Sequence, residues 1–247
     1  MTGPQDRTKE LRRKAEFHRR VTTANEGAMR SCCIFGCGRP TQAAAGRGLS
    51  LMHCRYHVQA RNRHGSFWKK TYLASDLLPY RRAAEKYLKA NRENFWIAAA
   101  LVSLRGLLAG SGPVDRIVDV LHMSPHLKAR AALARMRRAE IPPERLLAIH
   151  LAVSAAVRDD PIRPGDIRDE YRLTQIGKAV ARLASGQRVS YGSGSRYPRS
   201  SGLALRHLGR MIEASCEHVM EEHLEAILAS KTALFGSRKG SVYAANL

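Results

Sequence analysis

From residue 79 onward, apolar side chains recur at three- and four-residue spacing, the period of helices with one face turned inward. Pro79 is placed to start a helix through YRRAAEKYLKAN. Asn94 caps the next, FWIAAALVSLRGLLAG, which is apolar nearly all round and is expected to be the central core helix. Gly110 to Pro113 breaks it, and a helix through VDRIVDVLHM follows. Ser124-Pro125 opens HLKARAALARMRRAE, and Ile141-Pro142-Pro143 stops it. ERLLAIHLAVSAAVRD is again strongly apolar, with His150 expected as a packed histidine rather than a ligand. Asp166 caps DIRDEYRLTQIGKAVARLAS. Ser200 or Ser201 begins one long helix, LALRHLGRMIEASCEHVMEEHLEAILAS, basic in its first half and acidic in its second. No strand alternation interrupts residues 79–185, so the body is expected to be an all-α bundle.

Residues 32–65, CCIFGCGRPTQAAAGRGLSLMHCRYHVQARNRHG, follow another logic. Cys32 or Cys33 pairs with Cys37 across a short glycine-containing turn, and Cys54 pairs with His57 at i, i+3 on one helix face. Two two-ligand clusters joined by a small connector are the arithmetic of a tetrahedral zinc site. The expected ligands are Cys32, Cys37, Cys54 and His57, with Cys33 as the alternative to Cys32. Three thiolates and one neutral imidazole would close a structural Zn²⁺ site and leave no position open for water. A helix from about His53 to Asn62 would follow, with Gly65 suited to its left-handed cap.

The C-x4-C pair, the Gly-Arg-Pro after it, the Arg/Gly connector, the C-x2-H pair and the Arg-His-Gly ending resemble the small zinc motif of phage and mobile-element proteins, often found beside HNH-type endonuclease domains. The resemblance covers about 35 residues. Here Gly48-Leu49 is followed by Ser50, and the third ligand comes later, at Cys54. The resemblance implies a nucleic-acid context.

Charge sharpens that picture. Lys and Arg number 42 against 21 Asp and Glu, a net charge of +21 over 247 residues, so an anionic partner is expected and nucleic acid is the first candidate. The longest apolar run, Phe95 to Leu104, ends at Arg105, short of the roughly 20 residues a spanning helix needs. A cytoplasmic location with reduced thiols, nucleoid-associated when DNA-bound, is expected. The organisation expected is a basic arm over 1–30, a treble-clef-like zinc module over 31–70, a helical bundle over 71–185, a basic Gly/Ser loop over 186–202, a long helix over 203–235 packed on the bundle, and a tail over 236–247.

The expected activity is double-stranded DNA binding in regulation, recombination or replication. Arg55, Arg61 and Arg63 on the zinc-anchored helix would meet the duplex. Arg12, Arg13, Lys14, Lys69, Lys70, Arg188, Arg196 and Arg199 would add backbone contacts. RNA binding, with Tyr191 and Tyr197 as stacking residues, is one alternative. An HNH-type nuclease using His53, Asn62 and His64 is another, disfavoured because a closed zinc site leaves no open metal position. A homodimer or an acidic protein partner remains open. No phosphate-binding glycine motif or H-E-x-x-H signature is present, so NTPase and zinc-protease chemistry are set aside.

Overall fold

The computed structural model describes Arg12, Ala15 and residues 31–41, 52–160, 168–184, 200–219 and 221–236. The described residues form two compact units. One runs to Arg63 and includes Phe67–Lys69; the other comprises His64–Ser66 and the chain from Lys70 onward.

In the first unit a short turn precedes helix α1 (Arg55–His64). Ser31 and Pro40 form an antiparallel bridge, reinforced by the Cys32 N–H donating to the Arg39 carbonyl at 2.8 Å. The helix begins two residues later than the sequence implied, because Cys54 is the residue before its first turn and its carbonyl already accepts the Val58 N–H. Gly65 follows the last turn with φ +81°, the left-handed conformation expected of it.

The second unit is helical throughout its described residues: α2 (Ala74–Ala90), α3 (Phe95–Ala109), α4 (Ile117–His122), α5 (Pro125–Arg138), α6 (Pro143–Asp159), α7 (Arg168–Ala181), a 3₁₀ turn (Arg182–Ala184), α8 (Gly202–Ala214) and α9 (Glu221–Phe235). Asn94, Ser124 and Ser201 accept first-turn N–H groups as their sequence positions imply. α2 starts ahead of Pro79. Its Leu73 N–H is taken by the Asp76 carboxylate at 2.7 Å, and the proline sits inside the helix, where the carbonyl it leaves without an intrahelical donor belongs to exposed Ser75.

The centre of the bundle is α6, not α3. Every residue from Leu146 to Val157 is buried, and α6 packs on α2, α3, α7, α8 and α9. Alanines 148, 152, 155 and 156 and Ser154 let neighbours approach on several sides, while the leucines, isoleucine and valines between them fill the gaps. α3 buries only Ile97, Ala100, Leu104 and Leu108, a single i, i+3, i+7, i+11 stripe; Phe95 is 71% exposed and Val102 63%. All-round apolarity therefore misassigned the core helix.

The long C-terminal helix is also two. After Ala214 the Cys216 N–H bonds to the Glu213 carbonyl and the Val219 N–H to that of Cys216, tightened i→i+3 bonds that end α8 and bury Cys216 before α9 begins. The glutamates of α9 then serve the fold. Arg158 of α6 reaches Glu221 at 2.7 Å and Glu225 at 2.9 Å. A polar tie lies beneath them: the Tyr80 hydroxyl donates to Asp159 at 2.5 Å, and buried Lys231 meets the same oxygen at 3.0 Å. The Tyr72 hydroxyl donates to the neighbouring Asp160.

Candidate metal centre

Two local structures aim the four expected ligands at one point. In the turn, the Cys37 N–H closes on the Ile34 carbonyl at 3.0 Å, with Gly36 at φ +72° and Gly38 at φ +58°. Glycine takes these left-handed conformations without steric cost, which brings the chain back within five residues so that Cys32 and Cys37 face each other. In the helix, Cys54 occupies the N-cap and His57 lies three residues on, so both side chains project from the first turn.

The donor atoms of Cys32, Cys37, Cys54 and His57 all lie within 4.8 Å of one another. The Cys37 and Cys54 sulfurs are 3.7 Å apart, and His57 Nδ1 lies 3.2 Å from Cys32 Sγ and 3.4 Å from Cys54 Sγ. For a tetrahedron with Zn–S of ~2.3 Å and Zn–N of ~2.0–2.1 Å, the S···S edge is ~3.8 Å and the S···N edge ~3.6 Å. The cluster has the size and donor set of a site that could hold a metal ion. Cys32 is buried within it. Cys33 is exposed and lies outside it, its sulfur 3.4 Å from His53 Nε2.

The electrostatics favour the ligating protonation state at His57 and Cys54 but not at Cys37. Burial lowers the His57 pKa, and the nearby Arg39 charge lowers it further, so the imidazole is neutral at neutral pH. For Cys54, burial pushes the thiol up but is outweighed by the His57 N–H, the sulfurs of Cys37 and Cys32 and the Tyr56 N–H; the net direction is down. The Cys54 sulfur thus stands where an N-cap oxygen would, accepting from the first-turn N–H groups. Cys37 moves the other way. The Arg39 N–H lowers its pKa, but desolvation and the sulfurs of Cys54 and Cys32 more than reverse that. A cation bound among the sulfurs would offset the repulsion that raises the Cys37 thiol.

The remaining expected binding residues fall into four groups. Arg12, Arg55, Arg63 and Lys70 are exposed. Arg61 is half-buried, with its guanidinium 5.2 Å over the Phe67 ring, which stacks on His53 at 3.6 Å. Lys69 does not extend an exposed strip: it is buried, its ammonium 5.1 Å over the Trp68 ring. Arg13, Lys14, Arg188, Arg196 and Arg199, the stacking candidates Tyr191 and Tyr197, and the Asp166 cap lie outside the described residues. Of the nuclease candidates, His53 is held against Phe67, Asn62 is exposed, and His64 pairs through Nδ1 with the Thr71 hydroxyl at 3.0 Å. Sequence reading passed over Arg39 and Tyr56, although the distance from Glu26 to Asp76 without any carboxylate was visible in the chain.

No protein-family model matches the chain, and comparison with curated proteins and with solved structures finds no match. Among the described residues, no helix is long and apolar enough to cross a membrane.

Proposed function

We propose that the protein holds a structural Zn²⁺ ion on Cys32, Cys37, Cys54 and His57 and uses the helix fixed by that ion to bind double-stranded DNA. Thiolate-rich tetrahedral donor sets select zinc over the hard divalent cations, and four protein donors leave the metal a structural role. The observation that carries the DNA reading is the arrangement of α1 behind the cluster. Arg55, Gln59, Asn62 and Arg63 stand at i, i+4, i+7 and i+8 of one helix face, with Arg55, Asn62 and Arg63 exposed. Arg, Gln and Asn are the side chains that pair with phosphates and base edges.

Local charge supports it. Between Glu26 and Asp76 the chain carries Arg30, Arg39, Arg47, Arg55, Arg61, Arg63, Lys69 and Lys70 and no Asp or Glu. Such a segment repels itself unless an anion faces it. The biological setting we infer, a phage or other mobile element, rests on the motif resemblance alone.

The test is a binding titration of zinc-loaded protein against duplex DNA over a range of salt. Affinity is expected to fall steeply as salt rises. Arg55→Ala with Arg63→Ala should reduce the log–log slope by about 2, one released counterion per lost contact. A slope unchanged in the double variant would remove α1 from the interface.

A further inference from the structure

We propose that the open depression beside the metal centre is a nucleotide pocket, taking one unstacked base and its phosphate from otherwise paired DNA; this rests on the DNA-binding reading above. The depression measures about 610 Å³ and is lined by Arg39, Pro40, Thr41, Cys54, Arg55, Tyr56 and Gln59. That volume lies in the range of small-ligand sites, ~300–1,000 Å³.

Its lining is selective. Two guanidinium groups and no carboxylate face it, so the ligand is anionic. Tyr56 presents a ring that is 60% exposed yet held in place: the Arg39 guanidinium sits 4.8 Å from its centroid, and the His57 ring meets it edge-on at 5.3 Å. A metal ligand thus braces an aromatic surface, and the ring–guanidinium pair is a platform on which a flat π-system stacks. Gln59, one turn along, offers an amide donor and acceptor to a base edge, and Arg55 supplies the phosphate contact.

The pocket also shares Arg55 and Gln59 with the face assigned to the duplex. A base leaving the stack next to that face would enter the pocket without moving the protein. Paired DNA has no base to put there, so the pocket confers a preference for bulged, mismatched or otherwise opened sites, where unstacking costs least.

The experiment compares full-length, zinc-loaded protein on a matched duplex and on the same duplex bearing a single bulged 2-aminopurine, by anisotropy and base fluorescence. Wild type is expected to bind the bulged duplex roughly tenfold more tightly, with quenching of the base. Tyr56→Ala should reduce that preference while leaving paired-duplex affinity within about twofold, and Tyr56→Phe should retain it. Zinc content equal to wild type confirms that each variant keeps the module. Equal affinity for both duplexes in the wild type, or a preference that survives in Tyr56→Ala, overturns the pocket and leaves the duplex reading standing. Binding to neither DNA removes both.

Discussion

The backbone of Leu205 lies directly against Gly177: a Cβ on the glycine would overlap the Leu205 carbonyl oxygen and come within 2.7 Å of its carbon. The same relationship recurs four residues away, where Gly209 faces the Leu173 carbonyl, so α7 and α8 touch backbone to backbone over a full turn. Backbone atoms at that distance cannot make room for a methyl group. Gly177→Ala or Gly209→Ala should therefore cost about 1–3 kcal/mol or more in denaturant unfolding, despite alanine's better helix propensity. Gly106 of α3 is the control, exposed with nothing near its would-be Cβ; Gly106→Ala should be neutral or stabilise by up to about 1 kcal/mol. Equal effects at all three glycines would contradict the close approach.

The five cysteines should separate into three reactivity classes under alkylation read by peptide mass. Cys33 is exposed and outside the cluster, so it should react with or without zinc. Cys32, Cys37 and Cys54 should be protected in the zinc-loaded protein and become reactive on chelation. Cys216 should stay slow in both states, because burial and then the Glu213 charge push its thiol up to about 12. Protection of Cys33 in place of Cys32 would exchange the first ligand.

His150 gives the bundle an acid-sensitive limb. It is buried, its pKa lowered to about 4 first by desolvation and then by the Arg172 charge, and its Nδ1 has no hydrogen-bond partner among the described residues. Above pH 6.5 neither the folded nor the unfolded chain protonates it, and it is silent. Between pH 6.5 and 4 the unfolded chain binds a proton that the folded one refuses, so stability falls with pH by about 3 kcal/mol in all. His150→Gln should unfold less steeply than wild type over that window. Parallel pH profiles would show that the folded protein admits the proton.

Asp159 anchors α9 through Lys231 and α2 through Tyr80. Lys231 is only 5% exposed, so Asp159→Ala would leave a buried ammonium without its carboxylate and should cost about 3–5 kcal/mol. Adding Lys231→Met to that variant should recover part of the loss, since an apolar chain of similar length needs no counter-charge. If the double variant is no more stable than Asp159→Ala, the ion pair is not the source of the cost.

Helix positions and the Cys/His cluster were legible in the chain because both are local. Asn94, Ser124 and Ser201 cap where their side chains can reach the next turn, and C-x4-C with C-x2-H brings donors together whatever surrounds them. Which helix lies at the centre was not legible. FWIAAALVSLRGLLA is the more apolar sequence, yet α6 is central because its interspersed alanines allow neighbours to approach on several sides, a property of the partners as much as of the helix. The break at Cys216 likewise follows from tertiary burial, as EASCEHVMEE contains no glycine or proline to announce it. The choice between Cys32 and Cys33 depended on which neighbour faced the helix, and adjacent residues do not reveal that by spacing. Arg39 and Tyr56 were passed over because neither belongs to the ligand pairs; only the fold brings them together.

If Cys32, Cys37, Cys54 and His57 hold a zinc ion, elemental analysis of full-length protein purified from zinc-replete cells should find one zinc per chain. That zinc should be retained in Cys33→Ala and Cys216→Ala and lost in Cys54→Ala and in His57→Ala. Metal-free wild-type protein, or zinc held at full stoichiometry without the Cys54 thiol, would contradict that assignment.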